Sequence, residues 1–207
     1  MKKDLTEIIF ILDRSGSMKH LTEDTIGGYN TYIENQKKEK GQALITTVLF
    51  DNEYEILHNG ENIKDIKPLT NREYFARGMT ALLDAVGITI TSVGERLNKT
   101  AEEERPAKVI MIITTDGKEN ASKEYSRDKI KEMIEEQTNK YNWKFIFLGA
   151  NIDAVSEAES IGIKGEYASN YGWCEQGVES VYATLDCMTT KYRSTGKIED
   201  NWKKDIK

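Results

Sequence analysis

The sequence predicts an α/β fold. The expected architecture is a doubly wound, mainly parallel sheet of about six strands, with one antiparallel edge strand and helices on both faces. Three observations carry this. Short continuous apolar runs occur at 7–12, 108–115 and 143–148, the kind that strands buried on both faces require. Stretches with helical periodicity alternate with them, which implies right-handed crossovers between parallel strands. Two of the runs end abruptly in an aspartate on a turn of small residues, Asp13 and Asp116.

The elements follow in order. Residues 7–12 form a buried strand, closed by Asp13-Arg14-Ser15-Gly16-Ser17. Residues 22–39 read as a helix with Thr22 as N-cap and Ile26, Tyr29, Ile33 and Gln36 at helical spacing. Gly27-Gly28 inside it costs about 1 kcal/mol per glycine against alanine, so a close packing contact is expected there. Residues 43–50 form a second strand, rich in β-branched side chains. Asp51-Asn52 turns the chain, and 54–58 alternates as an antiparallel partner. Residues 59–79 are irregular. Thr80 opens a long helix to about Lys99, with Leu82, Leu83, Val86, Ile90, Val93 and Leu97 on one face. The run 108–115 ends in Thr115-Asp116-Gly117, and a helix is expected from about Ser122 to Lys140. After the strand at 143–148 come a short helix at 153–160, a short edge strand at 166–168 and a last helix at 174–193. Residues 1–193 are expected to form a single domain, and 194–207 a polar, frayed C-terminal tail.

The bulk properties exclude several classes. A net charge of -6 disfavours nucleic-acid binding, which runs on excess Lys and Arg. The only cysteines, Cys174 and Cys187, form no CxxC pattern, so no structural zinc site is expected and both thiols should be reduced. No apolar stretch reads as a signal peptide or a membrane span, so the expected location is cytoplasmic.

In doubly wound sheets the ligand site lies beyond the carboxyl ends of the strands, where strand order reverses. Two strands ending in aspartate at that point would bring Asp13 and Asp116 together, with Thr80 in reach. Asp13-Arg14-Ser15 alone is a short pattern whose hydroxyls could equally cap the next helix. The full set is more specific. Asp13-x-Ser15-x-Ser17, Thr80 in Gly78-Met79-Thr80, and Asp116 in Thr115-Asp116-Gly117 resemble the metal-ion-dependent adhesion site of von Willebrand factor A domains. The resemblance covers roughly residues 5–170 and implies a Rossmann-like sheet of strand order 3-2-1-4-5-6. It implies that Ser15, Ser17 and Thr80 ligate a metal directly while Asp13 and Asp116 often act through water. It also points to intracellular bacterial or phage stand-alone A domains, which serve as adaptors in larger assemblies, sometimes beside AAA+ ATPases. No GxxxxGK[ST] motif is present, so any motor would be a separate chain.

The donor chemistry agrees. Three hydroxyls and two carboxylates are hard oxygen donors, suited to Mg²⁺, with Mn²⁺ or Ca²⁺ as alternatives. Weak neutral donors leave the ion electrophilic at an open position, which an acidic residue of a protein partner would fill. Arg14, Met18, Met79, Lys118, Glu119 and Asn120 are the expected rim of that partner site, Arg14 and Lys118 as attractants for the acid. The expected function is a divalent-cation-dependent protein-binding module rather than an enzyme, acting without nucleic acid or membrane.

The alternatives are a metal-dependent hydrolase or phosphotransfer enzyme, a nucleotide-binding domain, and a scaffold with a non-functional metal site. Against an enzyme, no G-x-S-x-G elbow occurs and Ser15 stands where an aspartyl phosphatase needs a second carboxylate. Against a nucleotide fold, the first turn lacks G-x-G-x-x-G. His20 and His58 are read as surface or structural residues, and Asp84 as a helix-surface residue or partner to the turn. Trp143, Trp173 and Trp202 are read as packing residues, with Trp202 and Tyr171-Gly172-Trp173 as secondary candidates for partner contact.

Overall fold

The computed structural model describes residues 1–206. Six strands form one sheet in the order β3-β2-β1-β4-β5-β6. They are β1 (Lys2–Asp13), β2 (Gln42–Phe50), β3 (Tyr54–Asn62), β4 (Pro106–Thr115), β5 (Lys144–Ala150) and β6 (Ala168–Tyr171). All neighbouring pairs are parallel except β2 and β3, which are antiparallel as the alternation at 54–58 predicts. The helices are α1 (Thr22–Gln36), α2 (Leu82–Lys99), α3 (Arg127–Tyr141), α4 (Ala154–Ser160) and α5 (Glu175–Thr195).

The strand pleat sorts the apolar residues into two cores. Ile8, Phe10, Leu12, Ile110, Ile112, Ile146 and Leu148 face α1 and α5. Ile9, Ile11, Val109, Met111, Ile113, Phe145 and Phe147 face α2, α3 and α4. Burial on both faces explains the unbroken apolar runs of the central strands. Strand order reverses between β1 and β4, and the register Leu12↔Thr114 sets their carboxyl ends side by side. This is the switch point at which such sheets bind ligands.

Several boundaries differ from the sequence reading, for physical reasons. A 3₁₀ turn at Gly16–Leu21 precedes α1, so the residue before the helix is Leu21 and not Thr22. The packing reason expected for Gly27-Gly28 exists at Gly28 alone, where an added Cβ would lie 2.2 Å from the Tyr182 ring of α5. The close approach is therefore between two helices. Helix α2 begins at Leu82, which leaves Thr80 in the preceding loop. Helix α3 starts at Arg127, capped by the Ser126 hydroxyl, so 116–126 forms a longer loop than expected.

The tail is not frayed over its described residues. Trp202 is 8% exposed, and its indole donates to the Glu166 carbonyl at 2.9 Å. Lys203 donates to the carbonyls of Gly165 and Ala168 at 2.9 and 2.7 Å. The segment packs on its own domain, which takes Trp202 out of the docking candidates. Cys174 and Cys187 are free and exposed. No helix among the described residues is long and apolar enough to cross a membrane.

Candidate metal centre

The loops after β1 and β4, together with the loop before α2, bring the five residues singled out in the sequence to one place. The Ser15 and Ser17 hydroxyls lie 3.1 Å apart, and Ser17 Oγ donates to Asp116 Oδ1 at 2.5 Å. Thr80 Oγ1 closes the group from the third loop. A Cβ built on Gly117 would meet it at 2.9 Å and Ser17 Oγ at 3.7 Å. Gly117 thus leaves open a cradle that any side chain would fill.

Asp13 sits beneath this group, fully buried. Its Oδ1 accepts from the Ser15 amide at 2.7 Å and its Oδ2 from the Thr115 hydroxyl at 2.6 Å. Burial pushes the Asp13 carboxyl up to about 6, against the pull of the Thr115 hydroxyl and the Ser15 amide. A nearby Asp116 raises it further. An ionised Asp13 therefore lacks a compensating positive charge, and a cation above it would supply one.

The donor set fits a small hard cation. Around an ion with bonds of about 2.1 Å, neighbouring oxygens of an octahedron stand about 3 Å apart, close to the separation of the two serine hydroxyls. The Thr80 hydroxyl makes no hydrogen bond among the described residues and is free to ligate. No group of three or more His, Cys, Asp or Glu side chains that could hold a metal ion occurs among the described residues, here or elsewhere, so an ion at this site would rest mainly on hydroxyl oxygens.

The loops are held by backbone contacts. Gly16 N donates to Gly78 O at 3.2 Å, tying the first loop to the second. Gly78 has φ +68, and a Cβ there would lie 2.1 Å from Asn52 Oδ1, so glycine is needed for both conformation and space. Thr80 is fixed from both sides by Asn120. Its N–H donates to Asn120 Oδ1 at 2.9 Å, and its carbonyl accepts from the Asn120 amide at 3.0 Å. Buried Tyr74 donates to the Asp13 carbonyl at 2.5 Å.

The rim differs from the expectation. Met79, 55% exposed, and Lys118 and Asn120 do face solvent. Arg14 and Met18 do not: each is 1% exposed. Arg14 points away from the open face, to Asp51 at 3.1 Å, Glu55 at 2.7 Å and the Glu73 carbonyl at 3.3 Å. It is a clamp between loops, with Arg77 adding a second contact to Asp51 at 2.8 Å. Met18 enters the α1–α5 core because the 3₁₀ turn rotates it inward.

Glu119 is also committed to the scaffold. Its carboxylate accepts from the amides of Leu83, Ala121 and Ser122 at 2.8–2.9 Å, capping α2 from another loop. Asp84 does the reverse, accepting from the amides of Lys123, Glu124 and Tyr125, in line with its reading as a partner to the turn.

The sequence assigns no role at the site to two of its neighbours, Thr115 and Tyr74, and reads a third, Trp173, as a packing residue or a secondary partner contact. Thr115 lies inside the motif-bearing strand end and could have been found by asking which hydroxyl faces Asp13 across the β1–β4 register. Trp173, expected to pack or, within Tyr171-Gly172-Trp173, to be a secondary partner contact, is 46% exposed, and its indole N–H donates to Asp116 Oδ2 at 3.0 Å. The signal was its position just beyond the carboxyl end of β6, on the same edge of the sheet as the two aspartates.

No protein-family model matches the sequence, and comparison with curated proteins finds no relative. Solved structures do match. The von Willebrand factor type A protein of Catenulispora acidiphila aligns at 14% identity and a TM-score of 0.58, over 89% of this chain and 42% of that one. Proximal thread matrix protein 1 of the mussel byssus, with its metal-ion-dependent adhesion motif occupied by zinc, aligns at 14% identity and 0.60, over 87% and 47%. The ArnB paralog VWA2 of Sulfolobus acidocaldarius aligns at 22% identity and 0.52, over 91% and 44%. The chain thus spans less than half the length of each of these proteins. Sheet order, the single antiparallel strand and helices on both faces agree with these neighbours: the chain has the fold of a von Willebrand factor type A domain.

Proposed function

We propose that the chain is a divalent-cation-dependent protein-binding module. Asp13, Ser15, Ser17, Thr80 and Asp116 hold the ion, and an acidic residue of a protein partner completes its coordination. The observation that carries this is the convergence of Ser15, Ser17, Thr80 and Asp116 oxygens at the switch point, over the buried Asp13. The zinc-occupied motif of the mussel protein supports the use of such a site for a divalent metal. The donors here favour Mg²⁺ or Mn²⁺, since none is nitrogen or sulfur. Met79, Lys118 and Asn120 form the exposed rim, and Lys118 is the residue that attracts the acid.

The module reading is preferred over catalysis. The Ser15 and Ser17 hydroxyls face each other, Ser17 Oγ donates to Asp116, and the His20 ring nitrogen lies against the Ser17 carbonyl at 3.2 Å, so it is not placed as a base for either hydroxyl. We place the protein in the cytoplasm, as an adaptor in an assembly whose motor, if any, is another chain.

Panning a random peptide library on the immobilised protein in Mg²⁺, with elution by EDTA, tests this. The expected result is enrichment of peptides sharing an Asp or Glu, bound only with the ion. Binding that ignores EDTA, or peptides without a shared acid, contradicts it. Phosphoester turnover in Mg²⁺ that is lost in Asp13→Ala would instead establish the enzyme.

A further inference from the structure

Resting on that metal-site reading, we propose that Trp173 is a positioning residue for the metal centre: its indole N–H fixes the Asp116 carboxylate in its orientation toward the Ser17 hydroxyl. Asp116 is buried, and each of its oxygens has one donor. Ser17 supplies the donor to Oδ1 at 2.5 Å, and Trp173 supplies the donor to Oδ2 at 3.0 Å. A carboxylate held at both oxygens is fixed in its orientation.

The ring itself is held. It meets the His20 ring edge-to-face, at 3.9 Å between centroids and an interplanar angle of 69°. His20 Nδ1 in turn lies 3.2 Å from the Ser17 carbonyl. Ser17, Asp116, Trp173 and His20 therefore close a circuit that links the loops after β1, β4 and β6 around the donor set. The backbone bearing Trp173 is equally fixed. Tyr171 pairs with Ala150, Cys174 N donates to Gly172 O at 2.8 Å, and a Cβ at Gly177 would lie 1.9 Å from that same carbonyl. These contacts rigidify a half-exposed tryptophan, whose indole N–H could otherwise have been satisfied by water.

Groups that orient metal ligands from outside the coordination sphere change affinity by about 10–100-fold when removed. Trp173→Phe keeps a ring against His20 and removes only the donor. Calorimetric titration with Mn²⁺ should show affinity falling at least tenfold in Trp173→Phe, while the metal-free variant still unfolds cooperatively on heating. Mn²⁺ should also quench part of the parent's tryptophan emission, and that part should be missing in Trp173→Phe. If the parent binds Mn²⁺ and Trp173→Phe binds it equally well, or saturating Mn²⁺ leaves the parent's emission unchanged, the role of Trp173 is overturned and the metal site stands. A parent that binds no Mn²⁺ overturns both.

Discussion

Replacing Arg14 by alanine should destabilise the domain by about 3–5 kcal/mol, the range for removing one partner of a buried ion pair. The guanidinium is almost wholly enclosed, and it joins Asp51, Glu55 and the Glu73 carbonyl. Phe75 lies under it at 5.7 Å. Truncation leaves a cavity beside Asp51 and frees three segments that fix the first metal-binding loop. For a chain of this size the thermal midpoint should fall by roughly 10 °C. Arg77→Ala, at a site open to solvent, should cost less. Chemical denaturation of the two variants checks this. An Arg14→Ala protein as stable as the parent, but weaker for an acidic partner, would restore Arg14 to the rim where sequence reasoning put it.

The second large effect concerns Asp13 and pH. Its carboxyl sits at about 6 in the folded, metal-free protein against an ordinary 3.8, so the folded state holds this proton more tightly than the unfolded one. The sign follows from linkage. Stability of the metal-free protein is greatest, for this group, below about pH 4, falls as pH rises through 4–6, and is lower by about 3 kcal/mol at pH 7. A bound cation favours the ionised form and reverses the loss. Saturating Mg²⁺ should therefore raise the thermal midpoint strongly at pH 7.5 and little at pH 5, because the ion competes with the proton below pH 6. Asp13→Asn should remove both the metal-free loss and the response to Mg²⁺. Parallel pH profiles of parent and Asp13→Asn without metal would contradict this account.

The sheet was legible because its central strands are buried on both faces and its helices are amphipathic. The identity of β1, β2, β4 and β5, the antiparallel β2–β3 pair and the convergence of two strand-end aspartates follow from local patterns; the edge strand expected at 166–168 does not, since Gly165–Tyr167 is a 3₁₀ turn and β6 runs Ala168–Tyr171. Residue roles at the rim were not legible, because sequence neighbours of a ligand point in opposite directions from a tight turn. Arg14 follows Asp13 directly yet points to Asp51, and the 3₁₀ turn carries Met18 inward although Ser17 stays exposed. Glu119 and Asn120 lie beside each other, yet one caps α2 and the other holds Thr80. Trp173 and the packed tail depend on contacts between segments distant in the chain, Asp116 with Trp173 and Glu166 with Trp202, which no local periodicity encodes. Gly28 lies between: the helix-interior glycine flagged a close contact, and only the fold shows that its partner is Tyr182.

The most direct test of the central claim is calorimetric titration of the metal-free protein with Mg²⁺ and Mn²⁺ at pH 7.5, beside Ser15→Ala and Asp116→Ala. The account predicts one ion bound per chain in the parent and none in either variant, with both variants still folded. No heat of binding in the parent, or binding unchanged in both variants, would contradict it.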